Sequence, residues 1–146
     1  MSTYLDTGVL IKLYCAEPDS MKAIRVVTRC AVPLILTGFQ QLESANALRL
    51  KVFRKELGER QRQTAMQRMA EDVAAGVLVP TACDIDEILR ISETLSSQWT
   101  HGVGCRTLDI LHVATAKVLQ VRDFVTSDQR QATLAEHAGL HVRGLS

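Results

Sequence analysis

The chain is poor in proline and aromatic residues, and it has no long apolar run. Three prolines and 4% aromatic residues among 146 leave no Pro-rich tract and too few rings for a base-stacking platform. No apolar stretch approaches the ~20 residues that a bilayer span needs. The first six residues have neither the basic region nor the apolar core of a secretory signal. These absences predict a cytoplasmic protein without a membrane segment.

Cysteine spacing and net charge exclude further classes. Cys15, Cys30, Cys83 and Cys105 form no Cys-x-x-Cys pair, and no histidine lies at zinc-finger spacing from them. We therefore expect buried free thiols rather than a disulfide framework or a zinc site. Seventeen Lys and Arg against sixteen Asp and Glu give a net charge of +1, which does not indicate a globally basic nucleic-acid binder. With 47% hydrophobic residues, the chain is predicted to form one globular domain over residues 1–146.

Strand-like and helix-like segments alternate along the chain. The predicted strands are Thr3–Leu5, Leu34–Leu36, Val77–Val79, Phe124–Thr126 and His141–Val142. The predicted helices, with their caps, are about Thr7–Cys15, Asp19–Cys30, Thr37–Arg54, Gly58–Ala75, Asp84–Trp99, Thr107–Leu119 and Asp128–Ala138, with a loop at His101–Gly104. The Thr37 helix has Phe39, Leu42, Asn46, Leu50 and Phe53 near one face. This alternation predicts an α/β fold, with a short parallel sheet of about five strands flanked by helices.

Four acids occupy positions where a parallel sheet would bring them together. Asp6 and Asp128 follow predicted strands, whereas Glu43 and Asp109 lie near the starts of predicted helices. Sites in open α/β sheets lie outside the carboxyl ends of the strands. If the two strands are neighbours and both helices begin at that edge, the four carboxylates converge. Taken singly, Asp6 and Asp128 could cap helices, Asp109 could serve a helix dipole and Glu43 could be an exposed acid.

The surroundings of Glu43 and Asp109 favour a site. Glu43 lies in the charge-poor stretch 39–48 and Asp109 in 107–116, and neither stretch contains a basic residue three or four positions from its acid. A buried carboxylate without a partner is costly, so neutralisation must come from elsewhere. Mg²⁺ or Mn²⁺ suits an all-oxygen site of this kind. The matching chemistry is hydrolysis of a phosphodiester by water that the metal activates.

These motifs resemble those of PIN-domain ribonucleases, and most closely the VapC toxins of toxin–antitoxin pairs. The resemblance runs from Tyr4 to about Val142. It rests on Tyr4-Leu5-Asp6-Thr7-Gly8, on Leu42-Glu43, on Arg106-Thr107-Leu108-Asp109-Ile110 and on Phe124-Val125-Thr126-Ser127-Asp128. It implies a PIN-like fold and a Mg²⁺- or Mn²⁺-dependent endoribonuclease. It also implies a VapB-type antitoxin whose tail covers the site, and a homodimer.

The resemblance assigns roles to individual residues. It implies that Asp6, Glu43, Asp109 and Asp128 are the catalytic and metal-binding quartet, and that Thr7 and Thr126 support them. Some family members carry a further acid or Asn near the last one. Here Gln129 and Arg130 follow Asp128, so the number of metal ions, one or two, stays open.

A basic segment lies between residues 49 and 68. Its seven cations against Glu56 and Glu59 give a net charge of +5. It is predicted to bind the RNA backbone, through Arg49, Lys51, Arg54, Lys55, Arg60 and Arg62, and the plain alternative is a solvated helical face. His112 is interpreted as a residue packed on its own helix.

Two other classes of protein with a parallel sheet require acids that this sequence lacks. A receiver-like domain needs paired acids after the first strand, and a dehalogenase-type phosphatase needs an Asp at position 8, which is Gly8. Both are disfavoured. An RNA-processing nuclease outside any toxin–antitoxin pair and a catalytically silent binding module of the same fold stay open.

Overall fold

Five three-residue strands form one parallel sheet in the computed structural model, which describes all 146 residues. They are β1 (Thr3–Leu5), β2 (Leu34–Leu36), β3 (Leu78–Pro80), β4 (Asp123–Val125) and β5 (His141–Arg143). Their spatial order is β3-β2-β1-β4-β5, and every neighbouring pair is parallel. The predicted α/β class and the short parallel sheet are confirmed.

Seven helices connect and flank these strands. They are α1 (Thr7–Lys12), α2 (Ser20–Val27), α3 (Gly38–Phe53), α4 (Glu59–Ala74), α5 (Ile85–Val103), α6 (Thr107–Val118) and α7 (Gln129–His137). The loop predicted at His101–Gly104 is wrong, because α5 continues to Val103 and ends at Gly104, whose φ of 77° is left-handed. None of the helices combines the length and apolarity needed to cross a bilayer.

The sheet separates two apolar layers, because neighbouring strand residues point to opposite faces. Leu5 and Val125 pack with α1–α4, whereas Tyr4 and Phe124 pack on the side of α5–α7. The Tyr4 and Phe124 rings are stacked, with centroids 5.6 Å apart. Burying such a side chain fully stabilises a fold by ~1.5–3 kcal/mol. The two layers therefore hold β1 and β4 rigidly at the centre of the molecule.

The apolar face predicted for α3 does not pack inward. The side chains of Leu42 and Phe53 are 69% and 83% exposed, and α3 instead buries Gln40, Ser44 and Leu48. The hydrogen bonds of Gln40 explain why this face of α3, rather than the apolar one, packs inward. The Gln40 side chain accepts from the Thr37 backbone N–H, which completes a capping box with Thr37, and donates to the Leu5 carbonyl, 2.7 Å away. These two buried hydrogen bonds orient α3 against β1.

The centre of the sheet is its topological switch point. The chain moves from β1 to β2 on one side and later returns to β4 on the other, with Tyr4 opposite Phe124 and Leu5 opposite Val125. Ligands of open α/β sheets bind outside the carboxyl ends of the strands at such a point. The four acids can converge only if β1 and β4 are adjacent, and the structure shows that these two strands are paired.

Candidate active site

A cleft of about 540 Å³ opens at the carboxyl edge of β1 and β4. Its twelve lining residues include one hydrophobic side chain, Leu108. All four acids of the predicted quartet line it: Asp6, Glu43, Asp109 and Asp128. The cleft thus collects carboxylates from the start of α1, from α3, from α6 and from the start of α7.

Asp6 is the most enclosed of these acids. It is 6% exposed, and it caps α1 by accepting a 2.7 Å hydrogen bond from the Val9 backbone N–H. Its second oxygen accepts a hydrogen bond from the Thr126 hydroxyl. Burial raises the pKa of Asp6 above its usual range, although these two hydrogen bonds act in the opposite direction. Without a nearby cation, this carboxylate is costly to keep ionised.

Glu43 ends a chain of polar groups that begins inside the core. The Thr7 hydroxyl donates to Glu43 Oε1 at 3.0 Å, and His112 Nε2 hydrogen-bonds to the same oxygen. Nδ1 of His112 lies 2.6 Å from the buried hydroxyl of Tyr4. Burial alone would raise the pKa of Glu43, but the hydrogen bonds and the charge of His112 hold it below its usual range.

Asp109 and Asp128 are linked by Arg106. The guanidinium Nε of Arg106 lies 3.3 Å from Asp109 Oδ2, and its Nη2 lies 3.7 Å from Asp128 Oδ2. The expectation that Asp109 has no basic neighbour along the helix is wrong, since Arg106 immediately precedes the stretch 107–116 and lies three residues before Asp109. Thr107 is not the cap of α6 either. Arg106 occupies that position, and its backbone N–H donates to Asp109.

The two predicted supporting threonines both contact acids of the cleft. Thr7 donates to Glu43, and Thr126 donates to Asp6. The Thr126 oxygen also lies 2.9 Å from the side-chain amide of Gln131 and accepts from the Asp128 backbone N–H at 3.0 Å. Thr126 therefore ties the acid after β1 to the acid after β4.

Each acid is bonded to a protein donor in this structure, and no three His, Cys, Asp or Glu side chains are grouped closely enough to hold a metal ion. The donor set nevertheless fits a hard divalent cation. It consists of carboxylate and hydroxyl oxygens, without cysteine, beside an open cleft. Asp6 and Asp109 are 6% and 7% exposed, so a cation bound to them would offset a large desolvation cost.

The basic segment 49–68 lies outside this cleft. None of its residues lines the cleft, and it occupies the end of α3 and much of α4. Part of its charge is already paired: Lys51 contacts Glu17 at 2.5 Å and Glu56 at 3.6 Å, and Arg62 contacts Glu59 at 2.5 Å. Its assignment to RNA stays a prediction.

Three cleft residues were missed or undervalued in the sequence. His112, interpreted as packed on its helix, is 4% exposed but reaches Glu43. Its position, three residues after Asp109 on the same helix face, was the available signal. Arg106, three residues before Asp109, carried the same signal. Gln131 had none, because its side chain lies against the Thr126 hydroxyl, a contact that depends on how α7 packs beside the end of β4.

The fold resembles those of several solved structures. FitAcB from Neisseria gonorrhoeae superposes with a TM-score of 0.71 at 18% identity, covering 98% of this chain and 97% of that one. VapBC2 from Rickettsia felis, bound to a promoter DNA fragment, gives 0.66 at 12% identity over 99% and 98%. A toxin–antitoxin complex from Klebsiella pneumoniae gives 0.57 at 16% identity over 88% of each chain. At these identities the likeness is one of fold.

Sequence comparison gives a direct family assignment. No curated protein sequence matches the chain. The profile of the PIN domain matches residues 3–137. This range includes strands β1 to β4 and all four acids of the cleft. The chain therefore belongs to the PIN domain family.

Proposed function

We propose that the chain is a metal-dependent endoribonuclease and the toxin of a toxin–antitoxin pair. The observation that carries the proposal is the convergence of four carboxylates from four separate elements on one open cleft at the sheet's switch point. A purely structural fold has no need to line one cleft with four acids, because a partly buried carboxylate is costly to keep ionised without a cation.

The acids Asp6, Glu43, Asp109 and Asp128 would hold Mg²⁺ or Mn²⁺. Asp109 and Asp128, which contact Arg106 in this structure, would then be ligands of the cation, and Thr126 and His112 would keep Asp6 and Glu43 oriented. A bound divalent cation supplies an activated water and charge to stabilise the leaving oxygen. The expected products carry 5′-phosphate and 3′-hydroxyl ends.

An antitoxin of the VapB type is the proposed partner. Three similar structures support this assignment. One is VapBC2 from Rickettsia felis, and another is a toxin–antitoxin complex from Klebsiella pneumoniae. Together with FitAcB from Neisseria gonorrhoeae, they match 88% or more of this chain. The acidic cleft would be the surface that a basic antitoxin tail covers.

A homodimer is the proposed assembly. It is supported by large apolar side chains that the isolated chain leaves exposed on α3 and α5: Leu42, Phe53, Ile85 and Leu89. Leu42 and Ile85 line one shallow groove with Phe39, and exposed apolar surface of this kind commonly marks an interface. Light scattering of the purified chain is expected to give twice the 16.1 kDa chain mass, and the chain mass itself would contradict the proposal.

Induced expression tests the assignment as a toxin. Expression of the wild type is expected to arrest growth, and Asp109→Asn to relieve the arrest, because a neutral amide is a poor ligand for a hard cation. Equal arrest by both proteins at equal expression would contradict a nuclease mechanism. An RNA-processing nuclease predicts cleavage without growth arrest, and a silent binding module predicts binding of RNA without cleavage.

A further inference from the structure

Arg106 is the one Lys or Arg side chain among the twelve residues that line the acidic cleft. It stands at the start of α6, and its side chain is 71% exposed. The guanidinium extends between two carboxylates that belong to different elements, Asp109 in α6 and Asp128 before α7. The other ionisable side chains of the cleft are the four acids and the buried His112.

The contacts that hold Arg106 are easily exchanged. They span 3.3 and 3.7 Å. Although Asp109 is buried, the Arg106 side chain is 71% exposed, so water screens its charge and ordering this long side chain costs entropy. A divalent cation at Asp109 and Asp128 would compete for the same two Oδ2 atoms. Arg106 would then be left at the mouth of the cleft with its donors free.

The substrate needs such a donor. RNA is a polyanion, and the cleft that would cut it is lined by four acids, so a phosphate approaching them is repelled unless a cation faces it. A guanidinium matches phosphate with a planar fork of N–H donors. Donors that face the charge developing on a reacting group are among the strongest contributors to catalysis.

We propose that Arg106 is a catalytic residue that alternates between two partners. Without a divalent cation, it neutralises Asp109 and Asp128. With the cation bound, it donates to the non-bridging oxygens of the RNA phosphate that is cut. This inference rests on the proposed ribonuclease function and assigns a residue to its substrate phosphate.

The bond changes leave Arg106 chemically unaltered. A bond forms between the oxygen of water and phosphorus, the bond between phosphorus and the 3′ oxygen breaks, and the 3′ oxygen ends with a proton that water gave up. The guanidinium stays protonated throughout, since arginine side chains are not deprotonated in proteins. Its contribution is charge and orientation.

The proposal predicts opposite effects on metal binding and on cleavage. Arg106→Gln removes the competing charge, so the variant is expected to bind Mn²⁺ up to about fivefold more tightly than the wild type, equivalent to ~1 kcal/mol. This affinity is measured by calorimetry without RNA. Cleavage of a mixed pool of short RNAs at saturating Mn²⁺ is expected to fall by about 100-fold in kcat. Arg106→Lys keeps the charge without the fork, and an intermediate rate is expected.

Arg122→Gln is the matched control, because Arg122 is exposed beside the opposite end of β4. It is expected to match the wild type in both assays, and thermal unfolding checks that all variants are folded. Wild-type cleavage by Arg106→Gln would overturn the inference alone. A parallel loss of Mn²⁺ affinity and cleavage would also overturn it, since Arg106 would then build the metal site. An inactive wild type would overturn the proposed function as well.

Discussion

The imidazole of His112 forms a hydrogen bond to the carboxylate of Glu43, 69 positions earlier in the chain. An ionised carboxylate only accepts hydrogen bonds, so Nε2 donates to Glu43, while Nδ1 on the other side of the ring lies 2.6 Å from the Tyr4 hydroxyl oxygen. Tyr4 is fully buried against Phe124. The core of the protein thereby fixes the orientation of one acid in the cleft.

Replacing His112 tests this positioning. His112→Ala is expected to lower cation-dependent RNA cleavage by about 10- to 100-fold, the loss that groups orienting metal ligands commonly cause. Tyr4→Phe is expected to lower the cleavage rate less, because the hydrogen bond between His112 and Glu43 remains. The measurement is cleavage rate against Mn²⁺ concentration. His101→Ala, an exposed histidine outside the cleft, serves as control, and full activity of His112→Ala would refute the role.

Thr126→Val is expected to reduce both stability and activity. Valine has nearly the same shape but leaves Asp6 without its hydroxyl donor and the Asp128 backbone N–H without its acceptor. The expected loss in the free energy of unfolding is ~1–3 kcal/mol, measured with urea. Thr133→Val on α7 removes only an exposed hydrogen bond to Gln129 and is expected to stay within ~0.5 kcal/mol. Equal stability of the two variants would argue against the network.

Asp123 supplies a pH-dependent part of the stability, away from the cleft. It is 1% exposed, and its Oδ1 accepts from His141 Nδ1 at 2.7 Å and from Arg143 Nε at 3.1 Å. Burial alone would raise the pKa of Asp123, but these hydrogen bonds and that of the Ala31 backbone N–H hold it below the ordinary 3.8. The unfolded chain therefore protonates first as the pH falls, and the stabilisation is lost below about pH 4.

Asp123→Asn should remove that dependence. At pH 7 the variant is expected to lose ~1–3 kcal/mol in the free energy of unfolding, because hydrogen bonds to a charged acceptor are lost. The difference from the wild type is expected to shrink as the pH approaches 3. Urea unfolding at both pH values measures it, and a difference that does not change with pH would show that the charge of Asp123 is unimportant.

The basic segment 49–68 is predicted to guide RNA towards the cleft. Arg60→Glu with Arg62→Glu is expected to weaken RNA binding and reduce its salt dependence, since it reverses two positive charges on α4, the exposed Arg60 and the half-buried Arg62 beside Glu59. Surface charge changes of this kind usually alter stability by under ~0.5 kcal/mol each. Fluorescence anisotropy with labelled RNA at several salt concentrations is the measurement. Unchanged RNA affinity and an unchanged salt dependence would instead favour the alternative, in which the segment is a solvated helical face.

The sequence was sufficient for the fold because its local signals agree with one another. The strand positions, the capping box of Thr37 and Gln40, and the acids that follow β1 and β4 all follow from short-range patterns, and the structure contains each of them. The exposed face of α3 did not follow from them. Its orientation depends on the long-range hydrogen bond from Gln40 to Leu5, which apolar spacing does not encode.

The partners of the acids also lay beyond local pattern. Tyr4 and His112 are 108 positions apart, and Thr126 and Asp6 are 120 apart. Thr126 meets Asp6 because β1 and β4 are neighbours in the sheet, and Tyr4 meets His112 because α6 packs on the face of the sheet that carries Tyr4. Arg106 was within reach of sequence analysis, since a basic residue three positions before an acid on a helix is a local signal, but it lies one residue outside the charge-poor stretch.

The central claim is that the carboxylate cleft hydrolyses RNA through a divalent cation. The most direct measurement is cleavage of RNA by the purified chain at increasing Mg²⁺, with Asp109→Asn as the matched variant. We expect wild-type cleavage to rise with Mg²⁺, to stop on addition of a chelator and to return when Mg²⁺ is restored, and we expect Asp109→Asn to be slower by at least about 100-fold. Cleavage that persists in the chelator, or that Asp109→Asn performs at the wild-type rate, would contradict the account.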